Sequence, residues 1–317
     1  MKKVFIATYP FGLCGDLPVK LLEETGWHIE YNSLGRRLKG NEVKDMLQGF
    51  HAVIAGTEPY NEETLSRATD LEVISRVGIG LDSVDFYYCR KNNIAITFTP
   101  EAPSDSVADL TVAQIINLLR GVHISDKSVR DGRWQRTLGL LIKEVKIGIL
   151  GVGRIGGRVV NRLRPFEPKK IYACDLEPKE VEGVEWVDKD TLFRESDVVS
   201  IHIPLNERNF HFVGLKEMTM MKEGSYFINT SRGAVVNESD LESCIHNKHF
   251  AGAALDVFEK EPYEGSLTKY DNVLLTAHIG ASARQSRFLM ELGAAQDCIR
   301  FLKGEPPENL VTEEDVR

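Results

Sequence analysis

Short apolar runs alternate with stretches of helical periodicity along nearly the whole chain. In the first hundred residues, Lys3–Thr8, Ala52–Ala55, Val73–Arg76 and Ile94–Thr97 have the length and apolar content of strands. Leu17–Thr25, Asn41–Gln48, Glu62–Arg67 and Ser83–Lys91 separate them with helix-compatible spacing. The alternation predicts parallel βαβ units in an α/β fold. A turn-rich loop, Thr99-Pro100-Glu101-Ala102-Pro103-Ser104-Asp105, closes this part, and Ser104 or Asp105 is suited to cap a helix running to about Arg120. That helix gathers Val107, Leu110, Ile115, Leu118 and Leu119 on one broad face. The pattern restarts at Val145, with strands expected at Val145–Leu150, Lys170–Cys174, Val198–Ile203, Tyr226–Asn229, Gly252–Leu255 and Val273–Leu275. Helical stretches fall around Leu192, around Lys216 and at Ser239–His246. A last helix, Ala283–Leu302, spaces Phe288, Leu292, Ala295, Ile299 and Leu302 on one face.

Composition narrows the function classes. A chain of 317 residues has room for two average domains. A net charge of -8 opposes a sequence-independent grip on nucleic acid, which depends on cations neutralising phosphates. The apolar run after Lys2-Lys3 is stopped by Pro10, too early for a signal peptide or membrane span, so no membrane is expected. Five scattered cysteines contain no Cys-x-x-Cys pair, which supports neither a disulfide framework nor a zinc site; a reducing cytoplasm is the expected setting.

The strand expected at Val145–Leu150 runs into Gly151-Val152-Gly153-Arg154-Ile155-Gly156 and then into a helical stretch ending near Leu163. This order suits a dinucleotide pyrophosphate. Gly151 permits a tight turn, Gly153 lets backbone approach phosphate, and Gly156 lets helix pack on strand, with the helix N-terminus facing the anion. A second strand ends in Asp175, nineteen residues after Gly156, where a carboxylate accepts hydrogen bonds from the adenosine ribose. Like charge from Asp175 and Glu177 disfavours a 2′-phosphate, so NAD is expected rather than NADP. Arg154 in this turn either neutralises the pyrophosphate or is simply a solvated cation.

In open parallel sheets, ligands bind outside the carboxyl ends of the strands. Three later strands run into Thr230-Ser231-Arg232-Gly233-Ala234, into Asp256-Val257-Phe258-Glu259-Lys260-Glu261-Pro262, and into Thr276-Ala277-His278-Ile279-Gly280-Ala281. A guanidinium, carboxylates and an imidazole thus emerge toward the edge that receives the dinucleotide, which points to hydride transfer at a carbonyl beside an anionic group. Arg232 offers a fork for a substrate carboxylate and a donor to the carbonyl oxygen. His278 supplies the proton to that oxygen in reduction and removes it in oxidation. Glu261 near the imidazole favours the imidazolium. Asp256 and the Thr230-Ser231 backbone are expected to orient the nicotinamide amide.

At these residues the chain resembles the D-isomer-specific 2-hydroxyacid dehydrogenases, in the branch of phosphoglycerate dehydrogenases and glyoxylate/hydroxypyruvate reductases. The likeness covers essentially all 317 residues, most specifically the cofactor fingerprint with Asp175, Ser200–Leu205, Ile228–Val235, Ala253–Pro262 and Thr276–Ala281. It implies Arg232, Glu261 and His278 as the catalytic set. It also implies NAD contacts at Gly151, Gly153, Arg154, Ile155, Gly156, Asp175, His202, Ile203, Pro204, Thr230, Ser231, Arg232, Asp256, His278, Gly280 and Ala281. Two Rossmann-like parallel-sheet domains follow, a cofactor domain at 100–282 inserted into a flavodoxin-like substrate domain made of 1–99 and 283–317. Arg76-Val77-Gly78-Ile79-Gly80-Leu81-Asp82 resembles the family's substrate loop, so Val77, Gly78 and Ile79 are implied, with Arg232 and His278, in holding a 2-oxo or 2-hydroxy acid. A homodimer is implied too, joined near the helix from Ser104 and Val129–Trp134.

Departures from the family bear on the substrate. Where phosphoglycerate dehydrogenases tend to carry an Arg after the second expected strand, this chain has Gly56-Thr57-Glu58-Pro59-Tyr60, and Glu58 near a phosphate is repulsive. This favours glyoxylate, hydroxypyruvate or another oxo acid over 3-phosphoglycerate, which stays as an alternative. The end at Arg317 leaves no regulatory C-terminal domain to be expected. Formate dehydrogenases of the superfamily carry Gln where Glu261 stands. A dinucleotide-sensing corepressor resembling the C-terminal binding proteins is the alternative of another class.

Overall fold

The computed structural model describes residues 1–316. It divides into one unit of Met1–Pro103 with the segment from Ala281 onward, and a second of Ser104–Gly280. Ala102 and Ala281 pack against the apolar cluster of Val4, Ile6, Ile54 and Val73, which draws the whole Pro100–Pro103 loop and Ala281 into the first unit.

The first unit is built on five parallel strands, β1 (Lys3–Ile6), β2 (His28–Tyr31), β3 (Ala52–Ala55), β4 (Val73–Arg76) and β5 (Ala95–Thr97), in the order β2-β1-β3-β4-β5. Strand β2 was not expected from the sequence, because on this sheet edge only Ile29 is even partly buried. The Glu58 segment therefore follows the third strand rather than the second. The helix Arg284–Leu302 covers one face, burying Met290, Ala294, Ala295 and Cys298 against β1, β3 and β4. Burial of each large apolar side chain there contributes roughly 1.5–3 kcal/mol.

The second unit holds seven parallel strands: β6 (Lys146–Leu150), β7 (Lys170–Cys174), β8 (Glu185–Trp186), β9 (Val198–Ile201), β10 (Ser225–Asn229), β11 (Phe250–Leu255) and β12 (Val273–Leu275). Their order is β12-β11-β10-β9-β6-β7-β8. Because β6 lies between β7 and β9, the chain winds outward in opposite senses from it, and the carboxyl end of β6 is the topological switch point where a crevice opens. Apolar side chains on both faces make two cores, one around Phe193, Phe227 and Phe250, the other around Ile115, Ile147, Ile149 and Ile228. The long helix expected here appears as Ser104–Arg120, with both candidate caps, Ser104 and Asp105, inside its first turn. A second helix, Val122–Arg130, follows it at a 64° bend. Among the described residues no single helix is long and apolar enough to cross a membrane.

Candidate active site

The glycine turn lies at the switch point. Gly151 has φ +90°, a backbone state few side chains tolerate, and a Cβ there would stand 2.7 Å from the His202 carbonyl oxygen. A Cβ on Gly156 would stand 2.0 Å from the Gly151 carbonyl, so the helix Arg154–Leu163 touches the strand end through bare backbone. At Gly153 a Cβ would meet nothing within 4 Å. The three glycines thus have different reasons. Two are demanded by the protein's own packing, and the third leaves open space over a ten-residue helix's N-terminus, which is the cradle a pyrophosphate needs.

Asp175, one residue beyond β7, is half-buried; its Oδ2 accepts the Val152 N–H at 2.6 Å and its Oδ1 the Glu177 N–H at 3.2 Å. A carboxylate accepts about four hydrogen bonds, so these two fix its direction and leave acceptor capacity for ribose hydroxyls. These residues fit NAD. Arg154 is exposed in the first helical turn, while Ile155 packs on the core beneath. Ile203 is half-buried and Pro204 exposed after β9. The His202 imidazole faces inward, Nε2 at 2.8 Å from Ser200 Oγ and Nδ1 buried with no hydrogen-bond partner among the described residues. Burial pushes it down to about 3, keeping it neutral. What His202 offers the glycine turn is its carbonyl, not its ring.

Strands β10, β11 and β12 are neighbours, and their carboxyl ends present Arg232, Glu261 and His278 side by side. His278 Nδ1 lies 2.8 Å from Glu261 Oε2, and the Phe258 N–H donates to Glu261 Oε1 at 3.1 Å. Burial works to raise the Glu261 carboxyl. The hydrogen bond and charge of His278, the Phe258 N–H and the Arg232 charge outweigh it and hold the group below its ordinary value. His278 occupies the left-handed region at φ +52°, a costly state for a non-glycine residue that the surroundings must enforce. Asp256 does so. Its Oδ1 accepts Thr276 Oγ1–H at 2.5 Å and the Ile279 N–H at 2.9 Å, its Oδ2 the Gly280 N–H at 2.8 Å, and its carbonyl the His278 N–H at 2.8 Å. Asp256 is only 1% exposed. Three hydrogen bonds thus direct its carboxylate onto the His278 turn, and of the roughly four a carboxylate accepts one is left for the expected nicotinamide amide.

Asn229, buried at the end of β10, does the same for Arg232. Its Nδ2 donates to the Arg232 carbonyl at 2.9 Å, and its Oδ1 accepts from the Ser231 N–H and hydroxyl. Arg232 Nη1 donates to the Ser231 carbonyl at 2.7 Å. Thr230 is buried, its hydroxyl 2.9 Å from that of Thr111 on the helix Ser104–Arg120. Sequence reasoning missed Asn229, Thr276 and Thr111. An Asn ending an otherwise apolar strand was the available signal for the first, since Asn is depleted in strands.

The first unit, taken by itself, revises the substrate loop. The Val77 N–H donates to the Ala55 carbonyl at 2.9 Å and the Gly78 N–H to Thr99 Oγ1 at 2.8 Å. Those two donors are spent, whereas the N–H groups of Ile79 and Gly80 have no acceptor among the described residues. Arg76 is buried and grips the Gly80 carbonyl through Nε at 3.1 Å and Nη2 at 2.8 Å, which fixes the loop. Glu58 is also buried, accepting the Gly56 N–H at 2.8 Å and the Tyr60 hydroxyl at 3.1 Å. It is turned away from solvent, so the expected direct repulsion of a phosphate is not its role. Ala281, expected among the cofactor contacts, falls in this unit, half-buried against its core.

Residues 112–280 match the family model "D-isomer specific 2-hydroxyacid dehydrogenase, NAD binding domain". A glyoxylate reductase of Thermococcus litoralis is 38% identical over 81% of this chain and 82% of its own length. Two crystal structures superpose on nearly the whole chain. One is a glyoxylate reductase from Paecilomyes thermophila, with TM-score 0.88, 26% identity and 99% of both chains covered. The other is the Aquifex aeolicus D-lactate dehydrogenase complexed with NAD and lactic acid, with TM-score 0.87, 25% identity and 98% of this chain and 99% of that one covered. With its two parallel sheets, its glycine cradle and these relatives, the chain belongs to the D-isomer specific 2-hydroxyacid dehydrogenases and is an NAD-dependent enzyme of that family.

Proposed function

We propose that this enzyme interconverts a small D-2-hydroxy acid and its 2-oxo acid, with glyoxylate or hydroxypyruvate as the substrate class, His278 as general acid and base, and Arg232 as the anchor. The observation that carries the assignment of roles is the 2.8 Å contact between His278 Nδ1 and Glu261. With Nδ1–H donating to the carboxylate, Nε2 is the nitrogen that meets the substrate oxygen. In reduction Nε2–H gives its proton to the carbonyl oxygen, and in oxidation Nε2 takes it back. Glu261 stays ionised throughout and stabilises the imidazolium. Arg232 holds the substrate carboxylate and adds positive charge where the oxygen becomes negative. NAD, when bound on the glycine turn and Asp175, supplies or accepts the hydride. In the first unit, taken by itself, the N–H groups of Ile79 and Gly80 have no acceptor among the described residues and are suited to an anionic ligand.

A phosphorylated substrate is a second reading. Arg37, exposed and hydrogen-bonded to the Thr57 carbonyl, offers a cation beside the turn after β3. The test is an NADH-oxidation screen over glyoxylate, hydroxypyruvate and 3-phosphohydroxypyruvate. Preference for the first two supports the reading, and preference for the third replaces it. Binding of NADH with no turnover of any 2-oxo acid would favour a corepressor-like role.

A homodimer and a cytoplasmic setting belong to the same proposal. Helix Val122–Arg130 and the irregular segment after it expose Val129, Trp134 (82%), Leu138 (fully) and Leu141. Apolar residues this bare on one continuous stretch are suited to contact with a second copy. Leu138→Glu is expected to shift the mass measured by light scattering from dimer toward monomer.

A further inference from the structure

The turn that carries Glu261 is clamped onto the turn that carries Arg232 by groups with no part in the chemistry above. Gly233 is buried, and a Cβ on it would stand 1.9 Å from the Phe258 carbonyl carbon and 2.4 Å from the Glu259 nitrogen. The two backbones therefore touch with no side chain between them. Just beyond this contact, two carboxylates exchange backbone donors. The Glu238 N–H donates to Glu259 Oε1 at 2.9 Å, and the Glu259 N–H donates to Glu238 Oε2 at 3.2 Å. His211 Nε2 approaches the same Glu259 oxygen at 2.9 Å, from a loop whose His211 N–H donates to the Ala234 carbonyl at 2.8 Å.

Neither His211 nor Glu238 is held without cost. His211 sits at φ +49°, a strained state for a residue with a Cβ, and its ring stacks on Phe210 at 4.1 Å. Burial, joined by the like charge of Glu259, raises the Glu238 carboxyl above its ordinary value. What these strained groups secure is the Phe258–Glu259 backbone. The same Phe258 N–H holds Glu261 Oε1, while the Phe258 ring stacks on Tyr263 at 4.2 Å. A slip at Glu259 passes directly into the Glu261 carboxylate.

We propose that Glu259, with Glu238 and His211, is a positioning residue that fixes the Glu261 turn against the Arg232 turn and so sets the Glu261–His278 hydrogen bond. The proposal rests on the proton-transfer role given to His278 above. Glu259 is about one-third exposed, so its truncation is tolerated by the fold. Misplacing a catalytic group by about 1 Å can cost on the order of a hundredfold in rate. Glu259→Ala in the full-length enzyme is therefore expected to lower kcat for the best 2-oxo acid about 10- to 100-fold with KM for NADH nearly unchanged. Its crystal structure should show Glu261 Oε2 and His278 Nδ1 moved out of hydrogen-bond reach. Glu259→Gln keeps an oxygen for the Glu238 N–H and for the imidazole, and should retain both the rate and the contact. The proposal is overturned by a Glu259→Ala enzyme with normal kcat, by one that keeps the 2.8 Å contact, or by a Glu259→Gln enzyme equally impaired. Failure of the wild-type enzyme to reduce any 2-oxo acid strikes the functional reading instead, and the crystallographic distance still decides the positioning role.

Discussion

The two wings of the seven-stranded sheet work by opposite means. On the β6–β7 side the useful feature is missing side chains: Gly151 and Gly156 let backbone meet backbone, and Gly153 leaves space above a helix N-terminus. On the β10–β12 side the useful features are the side chains of Arg232, Glu261 and His278, each held by a buried or half-buried polar neighbour such as Asn229 or Asp256. One wing is suited to bind an anion whatever chemistry follows. The other is suited to move a proton whether or not the dinucleotide is gripped tightly. The difference implies that binding and chemistry are separable by mutation.

The largest effect should come from the chemical wing. His278→Asn removes the proposed proton carrier while leaving the glycine turn intact, so kcat is expected to fall by a factor on the order of 10²–10⁴. The dissociation constant for NADH, measured by fluorescence titration, should stay close to that of the wild type. A parallel loss of NADH affinity would mean that the two wings are not independent.

The binding wing was the more legible of the two, and the reason is physical. Its requirements are local, since a strand, three glycines at fixed spacing and a helix all lie within residues 146–163, and steric demands on glycine read directly from sequence. In the chemical wing the strand ends were legible, but the direction of each side chain was not. Asp256 turns inward because three donors from residues 276–280 converge on it, a fact set by the pairing of β11 with β12. The family resemblance implies Gly78 as a substrate donor, yet its N–H is taken by Thr99, which lies just beyond the far end of β5. The helix Val122–Arg130 carried no readable period because only Ser128 on it is buried, and Val122 and Val129 face outward.

A smaller effect, confined to the binding wing, is expected from Gly153→Val. Open space surrounds the Cβ position, so the added Cβ meets no clash among the described residues and the unfolding temperature should change little. The branched side chain would instead fill the approach to the helix N-terminus. An overpacking cost of about 1–3 kcal/mol, at tenfold per 1.4 kcal/mol, weakens NADH binding roughly 5- to 150-fold. At saturating NADH, kcat should recover. A kcat that stays low at saturation would show that Gly153 also shapes the chemistry, and the contrast between the wings would blur.

The smallest effect tests whether the Glu261–His278 pair is an electrostatic unit or a packing contact. Glu261 is held below its ordinary value of 4.5 by His278, Phe258 and Arg232, against the opposing effect of burial. For a carboxyl depressed on folding, the stabilisation is fully present above the unfolded-state value and is lost as pH falls through the folded-state value. Wild-type enzyme should therefore lose this contribution on acidification below about pH 4.5, and Glu261→Gln, with nothing to protonate, should not. Calorimetry should find the variant about 2–4 °C less stable near pH 5.5, for a contribution of about 1 kcal/mol. The gap should narrow near pH 3.5. A gap that is the same at both pH values would make the pair a matter of shape alone, and the chemical wing would then depend on packing as much as the glycine wing does.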